Sequence, residues 1–215
     1  MRVFLIHGMG RTSVSLALLA RRLRLAGHDV SSYGYFVSTT ALDVIADRFV
    51  DHVARNGGVD DEFAVVGHSL GNVITRSVLA RLPGLTRFVM LAPPNQPPAL
   101  AARLQGNPIF HALTQDAGRK LADADVFYAR LPVPTVPTLI IAGTLGPRFD
   151  TSPWDGKAND GVVSVEETKL AGAHISHVQV KAVHTLIMND AAVARLVLQF
   201  LKDARIDVPP AAATS

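Results

Sequence analysis

One serine lies between two glycines where a short apolar run meets a helical pattern. Residues 63–66 predict a buried strand and residues 72–82 predict a helix. Between them, Gly67, Ser69 and Gly71 have the spacing G-x-S-x-G, which is typical of the sharp strand-to-helix turn called a nucleophile elbow. The glycines give this turn room, because a side chain at either position would collide with the packed strand or helix. Ser69 is therefore the candidate nucleophile, and an ordinary glycine-flanked turn is the alternative.

A serine nucleophile needs a base that accepts its proton. His184 directly follows the last predicted strand, at 178–183, and this position places it at the same sheet edge as Ser69. His174 and His177 precede that strand, so we expect them toward the opposite edge or along the approaching loop. His184 is the predicted base, and a surface histidine that caps a loop is the alternative.

The base in turn needs a carboxylate that fixes its tautomer, and the chain order Ser, Asp, His places this acid before the last strand. Asp150, Asp155 and Asp160 all qualify by position. Asp160 is preferred because Gly161 permits a tight turn and the mostly apolar run 162–165 anchors one side of the loop. Asp155 precedes a similar turn that lacks this anchor.

Acyl transfer also needs hydrogen-bond donors for the developing oxyanion, and backbone N–H groups that are already in place serve best. The predicted donors are Leu70, which follows the serine, and Met9, in the loop after the first strand. Gly8 lets this loop approach a substrate closely. We predict that His7 supports the loop by hydrogen bonding and that His68 is a packing residue.

The elements that must position these residues alternate between strand-like and helix-like segments, which predicts an α/β domain with a mostly parallel sheet. A single domain is predicted over residues 1–207, followed by a disordered tail at 208–215. Strands are predicted at 3–6, 29–35, 63–66, 87–91, 138–142 and 178–183, and helices at 13–26, 42–56, 72–82 and 190–202.

Residues 93–137 interrupt this alternation and begin and end in prolines. They follow a strand, so we predict a short cap-like insertion, with short helices, at the active edge. Packing onto the body of the domain is the alternative. A mostly apolar pocket would favour short-to-medium acyl esters, and charged or peptide substrates should react poorly. Leu100 and the following residues are the candidates for its lining: Leu104, Ile109, Phe110 and Leu113.

Composition excludes several other classes of protein. The 215 residues are 48% hydrophobic and 18% charged, which indicates a globular chain, and a net charge of +3 with scattered basic residues indicates no nucleic-acid partner. Cysteine is absent, which excludes disulfides and thiolate metal sites. The sequence contains no evident signal peptide or membrane-spanning run, so we expect a cytoplasmic protein without stable membrane insertion.

These residues resemble the α/β-hydrolase superfamily, in particular its small bacterial esterases and lipases. The resemblance rests on four segments in the family's order, at 4–10, 67–71, 159–164 and 183–185. It implies a minimal fold of about six mostly parallel strands flanked by helices, a Ser-Asp-His triad and no organic cofactor. Related secreted lipases carry a calcium-binding aspartate where this chain has Leu186, so we expect no structural calcium there.

The resulting hypothesis is a serine esterase or lipase-like hydrolase that cleaves small-molecule carboxylic esters through an acyl-enzyme. An acyltransferase or thioesterase could use the same apparatus, because the acceptor is chosen by pocket shape and water access. A hydrolase-fold protein that binds a ligand without catalysis is the third reading. The sequence leaves the oligomeric state open.

Overall fold

The computed structural model describes residues 1–58, 61–104, 124–149 and 152–206. At its centre lies a sheet of six parallel strands. In chain order these are β1 (Arg2–Ile6), β2 (Asp29–Tyr33), β3 (Phe63–His68), β4 (Leu85–Leu91), β5 (Thr138–Gly143) and β6 (Ile175–Val180). The strands lie side by side in the order β2-β1-β3-β4-β5-β6. The strand that carries the elbow, β3, is therefore flanked on both sides.

Helices connect the strands, because each parallel neighbour requires a crossover. They are α1 (Ala17–Leu25), α2 (Leu42–Arg55), α3 (Leu70–Ser77), α4 (Ala99–Leu104), α5 (Ala124–Arg130) and α6 (Ala191–Asp203). Single 3-10 turns lie at Ser13–Leu16, Leu79–Arg81, Glu166–Thr168 and Ile187–Asn189. No helix in the described ranges has the length and apolar character needed to cross a bilayer.

The sheet separates two hydrophobic cores. Successive residues of β1 point to opposite faces, so Phe4 packs in the core formed with α2 and α3, and Val3 in the core formed with α1 and α6. Both side chains are completely buried. This double burial explains why the central strands read as continuous apolar runs in the sequence.

Two strands end earlier than the sequence predicts. The predicted strand at 29–35 stops at Tyr33, because its partner β1 ends at Ile6, which pairs with Tyr33. The last strand spans Ile175–Val180 instead of 178–183, and its final residue pairs with Gly143, the end of β5. The length of the neighbouring strand decided these limits, and an apolar pattern in one segment does not contain that information.

The shift of the last strand corrects the placement of one histidine. His177 lies on β6, paired with Ile140, and does not precede the strand as predicted. Its ring is in hydrogen-bond contact with the hydroxyl of Thr168, at 2.8 Å. His174 precedes the strand, as predicted.

The helix after the elbow also differs from its prediction. It begins at Leu70, directly after the serine, and ends at Ser77, where a single 3-10 turn at Leu79–Arg81 follows. The predicted helix at 72–82 therefore started two residues too late. The elbow turn is tighter than the sequence pattern suggested.

The cap-like insertion contains the short helices α4 and α5. Three of the predicted pocket residues, Ile109, Phe110 and Leu113, lie outside the described residues. Leu104 ends α4, but its side chain lies outside the described part as well. The predicted acyl lining by these four residues stays a prediction.

A buried arginine fastens the insertion to the body of the domain. Arg76 of α3 is 2% exposed and donates hydrogen bonds to the carbonyl oxygens of Leu131 and Pro132 and to Asn95 Oδ1. Asn95 Nδ2 donates in turn to the carbonyl oxygen of Thr168. Burial lowers the pKa of Arg76 to about 10, so the guanidinium stays charged at neutral pH. One cation thus links α3 to both ends of the insertion.

Close packing of α3 against β1 predicts that Gly71→Ala is destabilising. A Cβ at Gly71 would lie 2.5 Å from the carbonyl oxygen of Ile6 and 2.7 Å from that of His7, and these backbone atoms have little freedom to move. We expect the free energy of unfolding to fall by about 1–3 kcal/mol, measured by urea denaturation.

The matched control is Gly34→Ala, where the new Cβ would make an ordinary 3.5 Å contact with Ser13 Oγ. This variant should unfold within about 0.5 kcal/mol of the wild type. Equal stability of the two variants would contradict the packing described here.

Candidate active site

Ser69 occupies a strained turn between β3 and α3. Its backbone angles are φ 49° and ψ −120°, and such a conformation costs a residue with a side chain about 1–3 kcal/mol. The carbonyl oxygen of Leu91, at the end of β4, accepts hydrogen bonds from Ser69 N–H (2.9 Å) and Asn72 Nδ2 (3.1 Å). A side chain at Gly67 would overlap Asn72 Oδ1. The turn is thus held by the adjacent strand and requires the glycine.

His184 and Asp160 form a buried pair. His184 Nδ1 lies 2.7 Å from Asp160 Oδ2, and the side chains are 7% and 0% exposed. Because a carboxylate accepts, the imidazole carries its proton on Nδ1 and leaves Nε2 free to accept another proton. The backbone N–H of His184 also donates to the carbonyl oxygen of Asp160, at 2.9 Å. Two hydrogen bonds therefore fix the histidine on the loop after β6.

A tight turn supplies the other partners of the Asp160 carboxylate. Its Oδ1 accepts hydrogen bonds from the N–H groups of Val162 (2.9 Å) and Val163 (2.7 Å). Gly161 has φ +96°, which favours glycine and lets the chain reverse around the carboxylate. These donors offset the cost of burying a charge.

Of the other two candidate acids, the structure describes Asp155, and it is not placed in this way. Asp155 is exposed, in a turn of its own with φ 48°. Asp150 lies outside the described residues. Of the candidates that the structure describes, Asp160 is the one paired with a histidine.

His68 lies beneath this pair and contacts it directly. Its Nε2–H donates to the carbonyl oxygen of His184 at 3.0 Å, and the two rings lie 4.9 Å apart between centroids. Burial, and next the proximity of His184, lower the pKa of His68 well below its ordinary value, so the ring is neutral. His68 Nδ1 is buried and has no hydrogen-bond partner among the described residues. The residue anchors the backbone of His184.

The loop after β1 closes over the elbow. His7 Nδ1–H donates to the carbonyl oxygen of Gly8 at 2.8 Å, and its Nε2 accepts the N–H of Tyr35 at 3.2 Å. The Tyr35 ring stacks on His7, and its hydroxyl donates to the carbonyl oxygen of His7. A Cβ at Gly8 would lie 2.9 Å from Ser69 Cβ. Glycine therefore permits this close approach of the two loops.

Met9 lies in the loop after β1, and Leu70 directly follows Ser69 at the elbow. Both residues line the same cavity as Ser69 and His184. Leu70 is the first residue of α3, where backbone N–H groups lack partners within the helix and point outward. The positive end of the helix dipole also favours negative charge at this point.

The cavity has a volume of about 670 Å³ and is mostly apolar. Its walls come from the loops that follow the strands, together with Pro94, Pro98 and Leu100 of the insertion. Ser69 and His184 both lie in the described part of the chain, and the hydroxyl of Ser69 makes no hydrogen bond to the imidazole of His184. Catalytic hydrogen bonds of this kind often form only in the substrate complex.

Sequence reasoning missed three residues that the structure brings to the site or its support. Arg11 lines the cavity, Tyr35 braces His7, and Arg76 holds the insertion. Arg76 carried one signal, because three of its four neighbours one turn away in the predicted helix are apolar: Val73, Leu79 and Ala80. Among the described residues, no group of three or more His, Asp or Glu side chains is arranged to hold a metal ion.

Comparisons with known proteins place the fold. No protein-family model matches the sequence, and no curated protein does. Among solved structures, the mature lipase BlEst2 of Bacillus licheniformis is similar with a TM-score of 0.70 and 17% identity, over 95% of this chain and 92% of that one.

Two further solved structures are similar in fold. The thioesterase domain of the curacin biosynthetic pathway has a TM-score of 0.63 and 18% identity, over 92% of this chain and 90% of that domain. A putative hydrolase of the α/β superfamily from Xanthomonas campestris has a TM-score of 0.62 and 16% identity, over 94% and 98%. Together with the all-parallel sheet, these likenesses confirm the α/β-hydrolase fold that the sequence predicted.

The neutral state of buried His68 predicts that stability falls in acid. Below pH 6.5 the unfolded chain binds a proton at this residue and the folded chain does not, so unfolding is favoured as the pH drops. Each such residue contributes a slope of up to about 1.4 kcal/mol per pH unit. His7, whose pKa burial also lowers, adds to the same trend.

We therefore expect His68→Gln to have a shallower loss of stability between pH 6.5 and 4.5, measured by urea denaturation at several pH values. Replacement of the exposed His174 by Gln is the matched control and should keep the wild-type slope. A wild-type slope in His68→Gln would contradict a neutral buried imidazole.

Proposed function

We propose that this chain, which has the α/β-hydrolase fold, is a serine hydrolase that cleaves carboxylic esters through an acyl-enzyme. The observation that carries the proposal is the buried Asp160–His184 pair, which lies with Ser69 around one cavity at the carboxyl edge of the sheet. The fold itself hosts many activities, so the argument rests on this site.

In the first half of the reaction, Ser69 Oγ attacks the acyl carbon and His184 Nε2 takes its proton. Asp160 keeps the other imidazole nitrogen protonated and stabilises the imidazolium that forms. His184 then returns the proton to the leaving oxygen as the ester bond breaks. Because Nδ1 donates its proton to Asp160, Nε2 is the nitrogen that can accept the proton of Ser69, which supports this step.

The negative charge that develops on the substrate oxygen needs donors that are already oriented. We assign this role to the backbone N–H groups of Met9 and Leu70. Leu70 supports the assignment by its position at the start of α3. The support of Met9 is indirect, because the bonds around His7 and Tyr35 hold its loop against the elbow.

In the second half, a water molecule activated by His184 releases the acid. An acyltransferase would use another acceptor at this step, and a thioesterase would use the same steps on a thioester. The residues around Ser69 are the same for all three reactions, and the acceptor is chosen by pocket shape and water access. The apolar walls of the cavity favour short-to-medium acyl chains.

The proposal predicts that Ser69→Ala abolishes ester hydrolysis, because removal of a triad nucleophile costs on the order of 10⁶ in kcat. A fluorophosphonate should add its mass once to the wild type and not to the variant, as measured by intact-mass spectrometry. The matched control is Ser38→Ala, a serine that lines the same cavity and should be labelled normally. Labelling of Ser69→Ala, or an unlabelled wild type, would contradict the proposal.

A second prediction concerns the acid. Asp160→Asn should lower kcat by about 10⁴, because an amide at this position favours the wrong imidazole tautomer. Asp155→Asn is the matched control, since Asp155 is exposed and should leave kcat unchanged. A large loss of kcat in Asp155→Asn, together with an unchanged kcat in Asp160→Asn, would assign the role of the acid to Asp155.

A further inference from the structure

The cavity around Ser69 contains one permanent charge among the described residues that line it. This charge belongs to Arg11, in the loop that follows β1, and no aspartate or glutamate is part of the described lining. A single charged side chain among mostly apolar walls is one of the few polar groups by which such a site fixes the orientation of a ligand. It therefore indicates the chemistry of a ligand.

The guanidinium is held in place, and most of its donors have no hydrogen-bond partner among the described residues. Arg11 Nη2 donates to the carbonyl oxygen of Thr185 at 2.9 Å. A guanidinium has five N–H donors in a fixed fork, so the remaining donors match a carboxylate or a phosphate. Burial is the main cause of the lowered pKa of His68, but the charge of Arg11 contributes, which places this charge within electrostatic range of the elbow.

Most of the other lining residues are apolar, and they lie on both sides of Ser69. Pro94, Pro98, Leu100, Val162 and Val163 follow β4 and β5, and Met9, Phe36 and Val37 follow β1 and β2. Arg11 follows β1 and contacts Thr185, which follows β6. A substrate with an apolar acyl half and one anionic group near Arg11 would fit this lining.

Thr185 indicates which half of the ester faces the cation. It directly follows His184, the base that returns a proton to the leaving oxygen in the proposed mechanism. A group held by Arg11 beside Thr185 therefore lies on the side of the leaving alcohol. The acyl chain then contacts the apolar walls of the cavity.

We infer that the substrate is an acyl ester whose alcohol half carries an anionic group, a carboxylate or a phosphate, that pairs with Arg11. This inference rests on the proposed function. The Ser69 Oγ–acyl bond forms, the acyl–oxygen bond breaks, and the serine proton passes through His184 to the anionic alcohol. Water then releases the apolar acid. The sequence predicted that charged substrates react poorly. With this inference, that prediction applies to esters whose acyl half is charged.

The test uses two esters that differ only in charge. They are 3-carboxy-4-nitrophenyl hexanoate and its neutral 3-carbamoyl analogue, and both release a coloured phenol. The measured quantity is the ratio of kcat/KM for the carboxylate ester to that for the carboxamide ester. A ratio is needed because Arg11 also contacts the backbone next to His184, and a shift of the base would lower both rates equally.

For Arg11→Gln we expect this ratio to fall about tenfold, since a charge-assisted hydrogen bond is strong but partly weakened by solvent at a half-exposed site. Arg11→Lys should keep part of the preference, because it retains the charge without the fork. In the wild type the ratio should also decline as salt is raised from 0.01 to 1 M, since screening weakens a half-exposed pair.

The matched control is Arg148→Gln. Arg148 is an exposed arginine that also donates to a backbone carbonyl, that of Thr144, but it does not line the cavity. This variant should keep the wild-type ratio. An unchanged ratio in Arg11→Gln, while the wild type hydrolyses the neutral ester, would overturn the inference and leave the proposed function intact. Failure of the wild type on both esters, together with no fluorophosphonate labelling, would overturn the proposed function itself.

Discussion

The strained backbone at Ser69 is the constraint on which the site depends. A φ of 49° at a serine persists only because neighbouring elements hold it. The carbonyl oxygen of Leu91 accepts the serine N–H, and α3 packs so closely on β1 that Gly71 has no room for a side chain. The same packing positions the start of α3 at the cavity, which Leu70 lines. The strained backbone thus fixes the position of the Ser69 side chain.

The buried Asp160–His184 pair is the second requirement, and two loops build it. A carboxylate without solvent is costly unless it is fully hydrogen-bonded, and the turn at Gly161 supplies two N–H donors in addition to the imidazole. His68 and the N–H bond to Asp160 hold the histidine backbone. The pair is therefore oriented before any substrate arrives, which is the condition under which such groups act well in catalysis.

Much of the fold could be predicted from sequence, because double burial makes the central strands apolar and the helices amphipathic. The limits of β2 and β6 could not, since they depend on the neighbouring strand. Of the candidate site, local patterns were enough to single out Ser69, His184 and Asp160. The contact of Arg11 with Thr185 was not visible, because the two residues lie 174 positions apart in the chain.

In the proposed reaction Ser69 attacks the acyl carbon, and the N–H groups of Met9 and Leu70 bind the oxyanion that forms on the substrate. A crystal structure of the fluorophosphonate adduct tests it most directly. We expect phosphorus bonded to Ser69 Oγ, the phosphoryl oxygen about 2.7–3.1 Å from both nitrogens, and His184 Nε2 within hydrogen-bond reach of the serine oxygen. Phosphorus on another residue, or a phosphoryl oxygen that points away from both N–H groups, would contradict the account.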